Sequence, residues 1–170
     1  KTVGVIGMGR LGVIVADYFH ALGMQVLGND IQPFSHEHVN EVSLTELLEK
    51  SDVVSLHVDY NSGSHHLMGQ EQFERMKSTA VLINTSRGGI IDEAALLDAL
   101  KNESIAGAAL DVLAQEPNVP SDHPLIEYAN ESKRLILTPH IGGNTFESFI
   151  KTEIFTANRV IHALNKMKLL

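Results

Sequence analysis

The first twelve residues of the 170-residue chain contain a glycine pattern that could bind pyrophosphate. Gly7, Gly9 and Gly12 form a G-x-G-x-x-G sequence directly after the apolar run Val3–Ile6 and at the start of a helical segment. In such a turn the first glycine permits a tight bend, the second lets a pyrophosphate approach the backbone, and the third allows close packing of helix on strand. The helix start then offers free amide groups and a partial positive charge to the anion.

An acidic residue follows the glycine pattern at the spacing expected of a dinucleotide site. Asp30 lies 18 residues after Gly12, at the end of the second predicted strand, where its carboxylate could accept hydrogen bonds from the ribose hydroxyls of adenosine. The alternative is a turn residue before Pro33. No Lys or Arg occurs between Met24 and Glu49, so a 2′-phosphate would meet a carboxylate without a nearby cation. These residues predict NAD rather than NADP.

Three later segments each place a charged or titratable residue directly beyond a predicted strand, which is the ligand-bearing edge of an open parallel sheet. The first segment contains Arg87, the second contains Asp111 and Glu116, and the third contains His140. Reduction of a 2-keto acid by NADH needs groups of these kinds. An Arg can grip the substrate carboxylate in bidentate fashion, a His can protonate the carbonyl oxygen, and a Glu can orient the imidazole and favour its charged form. Taken singly, each residue could instead be an ordinary surface or loop residue.

These residues need a sheet to position them, and the apolar pattern predicts one. Short, nearly continuous apolar runs alternate with helical segments, as expected for a parallel sheet covered on both faces. The pattern predicts an α/β fold of the Rossmann type, a doubly wound parallel sheet with helices on both faces, built as a single dinucleotide-binding domain over residues 1–170. The predicted strands are Val3–Ile6, Gln25–Asn29, Val53–Leu56, Ala80–Ile83, Ile105–Leu110 and Leu135–Leu137.

Four helices are predicted between and after these strands. Ser43 and Glu46 form a capping-box pattern, Asp92 is a suitable N-cap for a helix through Leu96–Leu100, and residues 116–124 are predicted to be a loop. The first helix carries an apolar stripe of Leu11, Ile14, Val15, Tyr18, Phe19 and Leu22. The long last helix carries one apolar face made of Phe146, Ile150, Ile154, Ala157, Ile161 and Leu164.

Composition excludes several classes of function. The net charge of −8 and the absence of a basic stripe argue against a nucleic-acid or acidic-membrane partner. The chain has no cysteine, and its nine histidines show no recognised ligand spacing, so no metal site is predicted. No apolar run approaches the length that spans a bilayer. We therefore expect a cytoplasmic protein.

Several segments resemble the D-isomer-specific 2-hydroxyacid dehydrogenase family, and the resemblance covers essentially the whole chain. It is carried by residues 1–7, by Leu56-His57-Val58, by Asn84–Ile91 and by Pro139–Gly143. The resemblance implies that Arg87, Glu116 and His140 are catalytic and that Asp111 contacts the nicotinamide amide. It also implies further cofactor contacts from Arg10, Leu11, Val58, Thr85, Ser86, Gly142 and Gly143.

The sequence departs from the family in two ways. Asp59 stands where the family usually has Pro after the His57-Val58 pair. The substrate domain of the family is also missing, so we expect a part of a longer enzyme, with a naturally solitary domain as the alternative. The resemblance implies a small 2-keto or 2-hydroxy acid as substrate and leaves a homodimer open. A second function remains open, because the family resemblance includes corepressors that sense NAD without turnover.

Overall fold

The computed structural model of the chain describes residues 1–167, so the last three residues of the predicted 1–170 domain lie outside the described range. The chain divides into two compact units, Lys1–Thr138 and the segment that begins at Pro139.

The first unit is built on a sheet of seven strands in the order β3-β2-β1-β4-β5-β6-β7, and every pair of neighbours is parallel. The chain moves outward from β1 to β3, then returns to the other side of β1 and continues to β7. This reversal between β1 and β4 is the switch point of a doubly wound sheet, so the predicted Rossmann-type fold is confirmed. The strands are β1 Thr2–Ile6, β2 Gln25–Asn29, β3 Val39–Glu41, β4 Val53–Leu56, β5 Val81–Asn84, β6 Gly107–Leu110 and β7 Leu135–Leu137.

Five α-helices and one short 3-10 helix connect the strands of this unit. The 3-10 helix is Gly88–Ile90. Its α-helices are α1 Arg10–Ala21, α2 Leu44–Lys50, α3 Gln70–Arg75, α4 Glu93–Lys101 and α5 Pro124–Glu131. Both predicted N-caps form: the Ser43 hydroxyl accepts the amide of Glu46, and the Asp92 carboxylate accepts those of Ala94 and Ala95. The Glu46 carboxylate pairs with Lys50 at 2.6 Å.

Besides the 3-10 helix, three elements of the first unit were not predicted. The edge strand β3 has only three residues, and Asn40 and Glu41 in it are exposed, so it forms through backbone pairing with β2 without an apolar pattern. The helices α3 and α5 are short, and α5 begins at Pro124, the last residue of the predicted loop. A buried His123 caps α5 by accepting the amide of Leu125. Short elements of this kind lack enough turns for a periodic signal.

Two apolar clusters cover the two faces of the sheet. Val3 and Val5 of β1 belong to the smaller cluster, whereas Ile6 belongs to the larger one. Successive residues of a strand point to opposite faces, so β1 contributes to both clusters. The larger cluster includes Leu47, Leu56, Leu82, Leu96, Ile105 and Leu110. This double packing fixes the strand ends that carry the candidate site.

The predicted apolar stripe of α1 is only partly buried. Leu11, Tyr18 and Leu22 are exposed, Leu22 by 77%, while the buried residues of the helix are Gly12 and Ala16. Gly12 and Ala16 allow α1 to pack very close to β1, and Phe19 of the predicted stripe packs against the smaller cluster at partial burial. The rest of the stripe is half-buried at Val15 and exposed at Leu11, Ile14, Tyr18 and Leu22.

The second unit consists of a turn followed by the predicted long helix α6, Phe146–Lys166. Thr145 caps it by accepting the amide of Ser148 at 3.1 Å. The predicted apolar face exists, yet within the described residues none of the helix is buried, and Phe146 is 76% exposed. No helix within residues 1–167 is both long enough and apolar enough to cross a membrane.

Candidate functional site

The carboxyl ends of the parallel strands share one edge of the sheet, and most of the predicted site residues of the first unit follow directly from it. Gly7 follows β1, Asp30 follows β2, His57 and Val58 follow β4, and Asp111 follows β6. Thr85 comes directly after β5. An open α/β sheet binds ligands at this edge, beside the switch point.

The glycine turn has the geometry expected of a pyrophosphate site. Gly7 has φ +93°, and a Cβ at this position would lie 2.6 Å from the backbone of His57. A Cβ on Gly12 would lie 1.9 Å from the carbonyl oxygen of Gly7. Gly9, by contrast, meets nothing within 4 Å, which leaves open space in front of the first amides of α1. Arg10 and Leu11 open that helix and are exposed. The turn therefore fits a dinucleotide phosphate.

Asp30 is tied to the glycine turn. Its Oδ2 accepts the amide of Met8 at 2.7 Å, and its Oδ1 accepts the amide of Gln32 at 2.9 Å. Each carboxylate oxygen has a second lone pair, so the group can also accept a hydroxyl. These two bonds fix the carboxylate beside the turn, where the ribose of a bound dinucleotide is expected.

The His57–Val58 segment forms the floor of the glycine turn. The amide of His57 donates to Ile6 at 2.7 Å, and its ring Nε2 lies 2.9 Å from the Ser55 hydroxyl. The ring Nδ1 is buried and has no hydrogen-bond partner among the described residues. Burial lowers the pKa of His57, so the ring is neutral at neutral pH. Val58 is half-buried and packs against the larger cluster.

The loop that carries Thr85, Ser86 and Arg87 is held by a buried asparagine. Asn84 is fully buried, its amide donates to the carbonyl of Arg87 at 2.9 Å, and its Oδ1 accepts the amide of Ser86 at 2.9 Å. The Ser86 hydroxyl donates to the carbonyl of Leu56 at 2.8 Å, which ties this loop to the end of β4. Thr85 and Arg87 are exposed. The guanidinium of Arg87 lies on this turn and donates to the carbonyl of Ser86 at 2.6 Å.

The loop after β6 is packed directly against the Arg87 loop. A Cβ on Gly88 would lie 2.0 Å from the carbonyl carbon of Leu113, so the two backbones touch. Asp111 is buried and accepts a hydrogen bond from the Thr138 hydroxyl. Glu116 is half-buried, and its Oε1 accepts the amide of Leu113 at 3.1 Å. The structure therefore brings the predicted residues Arg87, Asp111 and Glu116 to neighbouring positions.

His140, Gly142 and Gly143 lie in the second unit. All three are exposed, and His140 has a left-handed backbone conformation with φ +53°. Such a conformation is uncommon for a residue other than glycine. The approach of His140 to Arg87 and Glu116 stays a prediction.

Other features lie away from this edge. A cavity of about 410 Å³ is lined by Thr2 and Gln25, the first residues of β1 and β2, and therefore lies at the opposite edge of the sheet. Near it, the amide of Thr2 and the ammonium group of Lys77 lower the pKa of Asp52 to about 2. Within residues 1–167, no group of three or more His, Asp or Glu side chains could hold a metal ion.

Sequence reasoning missed some residues that position the site. Asn84 and Thr138 were quoted only as parts of segments, although each bonds a predicted site residue or its backbone. A polar residue that ends an otherwise apolar strand was the available signal. His57 was likewise read only as part of a motif, and its burial depends on how closely β1 and β4 pair.

A sequence model of one family, described as the NAD binding domain of D-isomer specific 2-hydroxyacid dehydrogenase, matches residues 1–142. The chain belongs to this family. The resemblance noted in the sequence is confirmed, and with it the NAD cofactor, because the glycine turn and Asp30 fit a dinucleotide.

Individual relatives agree with this assignment. A glyoxylate reductase of Korarchaeum cryptofilum is 42% identical over 95% of this chain and 48% of its own length. The crystal structure of D-lactate dehydrogenase with NAD⁺ from Lactobacillus jensenii has a TM-score of 0.80 and 32% identity, over 87% of this chain and 48% of that one. An acyclic imino acid reductase in complex with NADPH and D-Arg has a TM-score of 0.88 and 34% identity, over 98% of this chain and 52% of that one.

The chain spans about half the length of the curated relatives it matches. The alternative of a corepressor-like module gains no support from these relatives, which are named as reductases and dehydrogenases.

Proposed function

We propose that the full-length protein is an NAD-dependent dehydrogenase that interconverts a D-2-hydroxy acid and a 2-keto acid. The observation that carries the proposal is the contact between Gly88 and the Leu113 backbone. It brings the loops of Arg87 and Glu116 together at the edge that also holds the glycine turn. A cation, a carboxylate and a dinucleotide turn on one edge are the parts that this reaction requires in a cofactor domain.

The cofactor contacts divide along the sheet. Gly7, Gly9, Arg10, Leu11 and Gly12 are proposed to bind the pyrophosphate through the turn and the start of α1, and the Asp30 carboxylate is proposed to accept the ribose hydroxyls. On the other side of β1, the proposal assigns the nicotinamide half to Val58, Thr85, Ser86 and Asp111, with Gly142 and Gly143 from the second unit. When bound, the reduced nicotinamide supplies the hydride.

The three catalytic candidates have separate roles in this proposal. Arg87 binds the substrate carboxylate through its planar fork of N–H donors. His140 donates a proton to the carbonyl oxygen during reduction and accepts it back during oxidation. Glu116 orients the His140 imidazole and favours its charged form. In this proposal the full-length protein holds the substrate against the nicotinamide, and catalysis depends on that positioning.

NADH oxidation by the full-length protein tests the activity. We expect turnover of glyoxylate or another small 2-keto acid, and oxidation of the D but not the L isomer of the matching hydroxy acid. Glu116→Gln should depress reduction most at alkaline pH, where His140 loses its proton without the neighbouring charge. Absence of turnover over a broad panel would contradict the proposal and favour a binding module.

Calorimetric titration of NAD and NADP tests the cofactor preference. We expect tighter binding of NAD, because a 2′-phosphate would lie beside the Asp30 carboxylate without a neighbouring Arg or Lys. Asp30→Ala should reduce the difference between the affinities for NAD and NADP. The comparison is informative because one relative holds NADPH. Equal affinities in the wild type would contradict the role of Asp30.

Three further statements belong to the proposal. Residues 1–170 act as one dinucleotide-binding domain, which limited proteolysis tests. The protein acts in the cytoplasm, which fractionation tests.

The protein forms a homodimer in this proposal. Exposed apolar side chains on α1, such as Tyr18 and Leu22, support this part of the proposal. Light scattering that gives the mass of one chain would contradict the dimer.

A further inference from the structure

One carboxylate of α4 reaches two separate points of the loop that carries Glu116. Glu93 Oε1 accepts the amide of Ala114 at 2.8 Å, and Glu93 Oε2 lies 3.2 Å from His123 Nε2. The side chains of Glu93 and His123 are only 16% and 5% exposed. A charged group is placed in such a setting only when its partners compensate for the lost water.

The hydrogen bonds of His123 determine where its ring proton lies. Nδ1 accepts the amide of Leu125 at 3.3 Å, which caps α5, so Nδ1 carries no proton. The proton is therefore on Nε2, which donates to Glu93. Glu93 thus receives two N–H donors, one on each oxygen. An ionised Glu93 carboxylate accepts both hydrogen bonds. A glutamine side chain at this position would have only one acceptor oxygen, and its NH₂ group would face the other N–H donor.

The two contacts of Glu93 enclose the candidate carboxylate. Ala114 precedes Glu116 by two residues, and His123 follows it by seven. At the Ala114 end of the segment, the backbone of Leu113 and Ala114 packs on Gly88, which follows Arg87 in the chain. Glu116 itself accepts the amide of Leu113. The segment from Ala114 to His123 is therefore pinned at both ends by one side chain of α4.

We propose that Glu93 and His123 are positioning residues that form a clamp on the Glu116 loop. The clamp holds the Glu116 carboxylate at the carboxyl edge of the sheet, where the proposed function requires it. This inference rests on the proposed dehydrogenase function, and it assigns to the Glu93–His123 pair a role in the reaction without contact to substrate or cofactor.

Steady-state kinetics of the full-length protein over a range of pH test the clamp. Glu93→Gln is nearly isosteric, and His123→Asn keeps a good N-cap for α5 but is too short to reach Glu93. We expect both variants to lower kcat for reduction by roughly tenfold or more, because small displacements of a catalytic group are costly. We also expect the alkaline limb of the pH–rate profile to move to lower pH, with NAD affinity unchanged. Asp98→Asn, an exposed acid on the same helix, is the matched control.

A double variant tests whether Glu93 acts through Glu116. In the Glu116→Gln background, Glu93→Gln should shift the alkaline limb no further, since the carboxylate that the clamp positions is already absent. A purely structural role would lower activity at every pH without moving the limb. Melting temperatures and circular dichroism show whether each variant folds. If Glu93→Gln does not fold, His123→Asn provides the test.

The outcomes separate this inference from the proposed function. If the wild type reduces 2-keto acids and both clamp variants keep its kcat and pH profile, the clamp is overturned and the function stands. If the wild type reduces none, the function is overturned, and the clamp falls with it because Glu116 then has no reaction to serve. A shifted alkaline limb in both variants, with unchanged NAD affinity, supports the clamp.

Discussion

The two halves of the sheet build the candidate site from different materials. On the β1–β2 side, the site consists of backbone: the positive φ of Gly7, the open space at Gly9 and the close approach of Gly12 to Gly7. On the β5–β6 side, it consists of side chains held by other side chains, with Asn84 fixing the Arg87 loop and Thr138 bonding Asp111. The first half therefore suits binding, and the second half suits chemistry.

Substitutions in the two halves should therefore have different measurable effects. A change in the backbone half disturbs folding or cofactor affinity, because the turn is the binding surface. A change in the side-chain half alters turnover first, and it lowers cofactor affinity only where it displaces Thr85, Ser86 or Asp111. The predictions below test that separation.

Loss of the Arg87 guanidinium should have the largest effect. In the full-length protein, Arg87→Ala should lower kcat/KM for a 2-keto acid by roughly 10²-fold, the size expected when charge-assisted hydrogen bonds of about 3 kcal/mol are removed. Arg87→Lys should recover only part of this, since an ammonium cannot bind a carboxylate in the same bidentate way. Calorimetric NAD affinity should be unchanged in both, with Lys101→Ala as a control. A parallel loss of NAD affinity would break the separation of the halves.

A pair of glycine variants tests the backbone half. Gly12→Ala places a Cβ 1.9 Å from the Gly7 carbonyl oxygen, so it should lower the free energy of unfolding by at least ~2 kcal/mol. Gly9→Ala meets nothing within 4 Å and should cost less than about 1 kcal/mol as a change of N-cap. It should nevertheless weaken NAD binding by roughly tenfold or more, about 1.4 kcal/mol, because its methyl group occupies the pyrophosphate space.

Chemical denaturation and calorimetry measure both quantities for this pair. Unchanged NAD affinity in Gly9→Ala would place the pyrophosphate elsewhere. A fully stable Gly12→Ala would mean that α1 can move away from β1.

Removal of the Asn84 side chain should have an intermediate effect. Asn84→Ala leaves the amide of Ser86 and the carbonyl of Arg87 without their partner, which costs about 1–3 kcal/mol of unfolding free energy for buried groups. Turnover of the full-length protein should fall, and NAD affinity should fall to a smaller extent, because the same loop carries Thr85 and Ser86. The exposed Asn130→Ala on α5 is the control. If turnover is unaffected, the Arg87 loop does not depend on Asn84 for its conformation.

Most of the backbone half was predictable from sequence, and the side-chain half only in part. Gly7, Gly9, Gly12 and Asp30 lie close together in the chain, so their spacing alone predicts the turn. Arg87 and Glu116 were identified by their positions after strands, but the contact of Gly88 with Leu113 joins separate loops and has no local signal. The Glu93–His123 clamp spans 30 residues for the same reason.

The partly exposed stripe of α1 shows a second limit of prediction. Apolar periodicity identifies a helix, but it does not say which face meets the sheet when Gly12 and Ala16 allow a closer approach than Leu or Ile. Periodicity likewise predicts α6 without showing what its apolar face contacts.

The smallest effect concerns the pH dependence of stability at the two ends of β4. The pKa of Asp52, before the strand, is lowered to about 2, so its stabilisation is full above its ordinary value of 3.8 and is lost as the pH falls toward 2. The pKa of His57, after the strand, is lowered by burial, so protons favour the unfolded chain and stability declines as the pH falls below 6.5.

Melting temperatures between acid and neutral pH check both statements. Asp52→Asn should remove the loss near pH 2 to 4, and His57→Gln should remove the loss that begins near pH 6.5. Identical pH profiles for wild type and variants would contradict the assigned electrostatics.

Calorimetric titration of NAD into the 170-residue chain, with NADH oxidation measured on the same preparation, tests the central claim most directly. The residues proposed for adenosine, pyrophosphate and nicotinamide all lie within this chain, so we expect saturable NAD binding. We expect no useful turnover of 2-keto acids, because holding substrate against the nicotinamide can account for about 7–11 kcal/mol of the barrier and the relatives use a chain about twice as long. Failure to bind NAD would contradict the account.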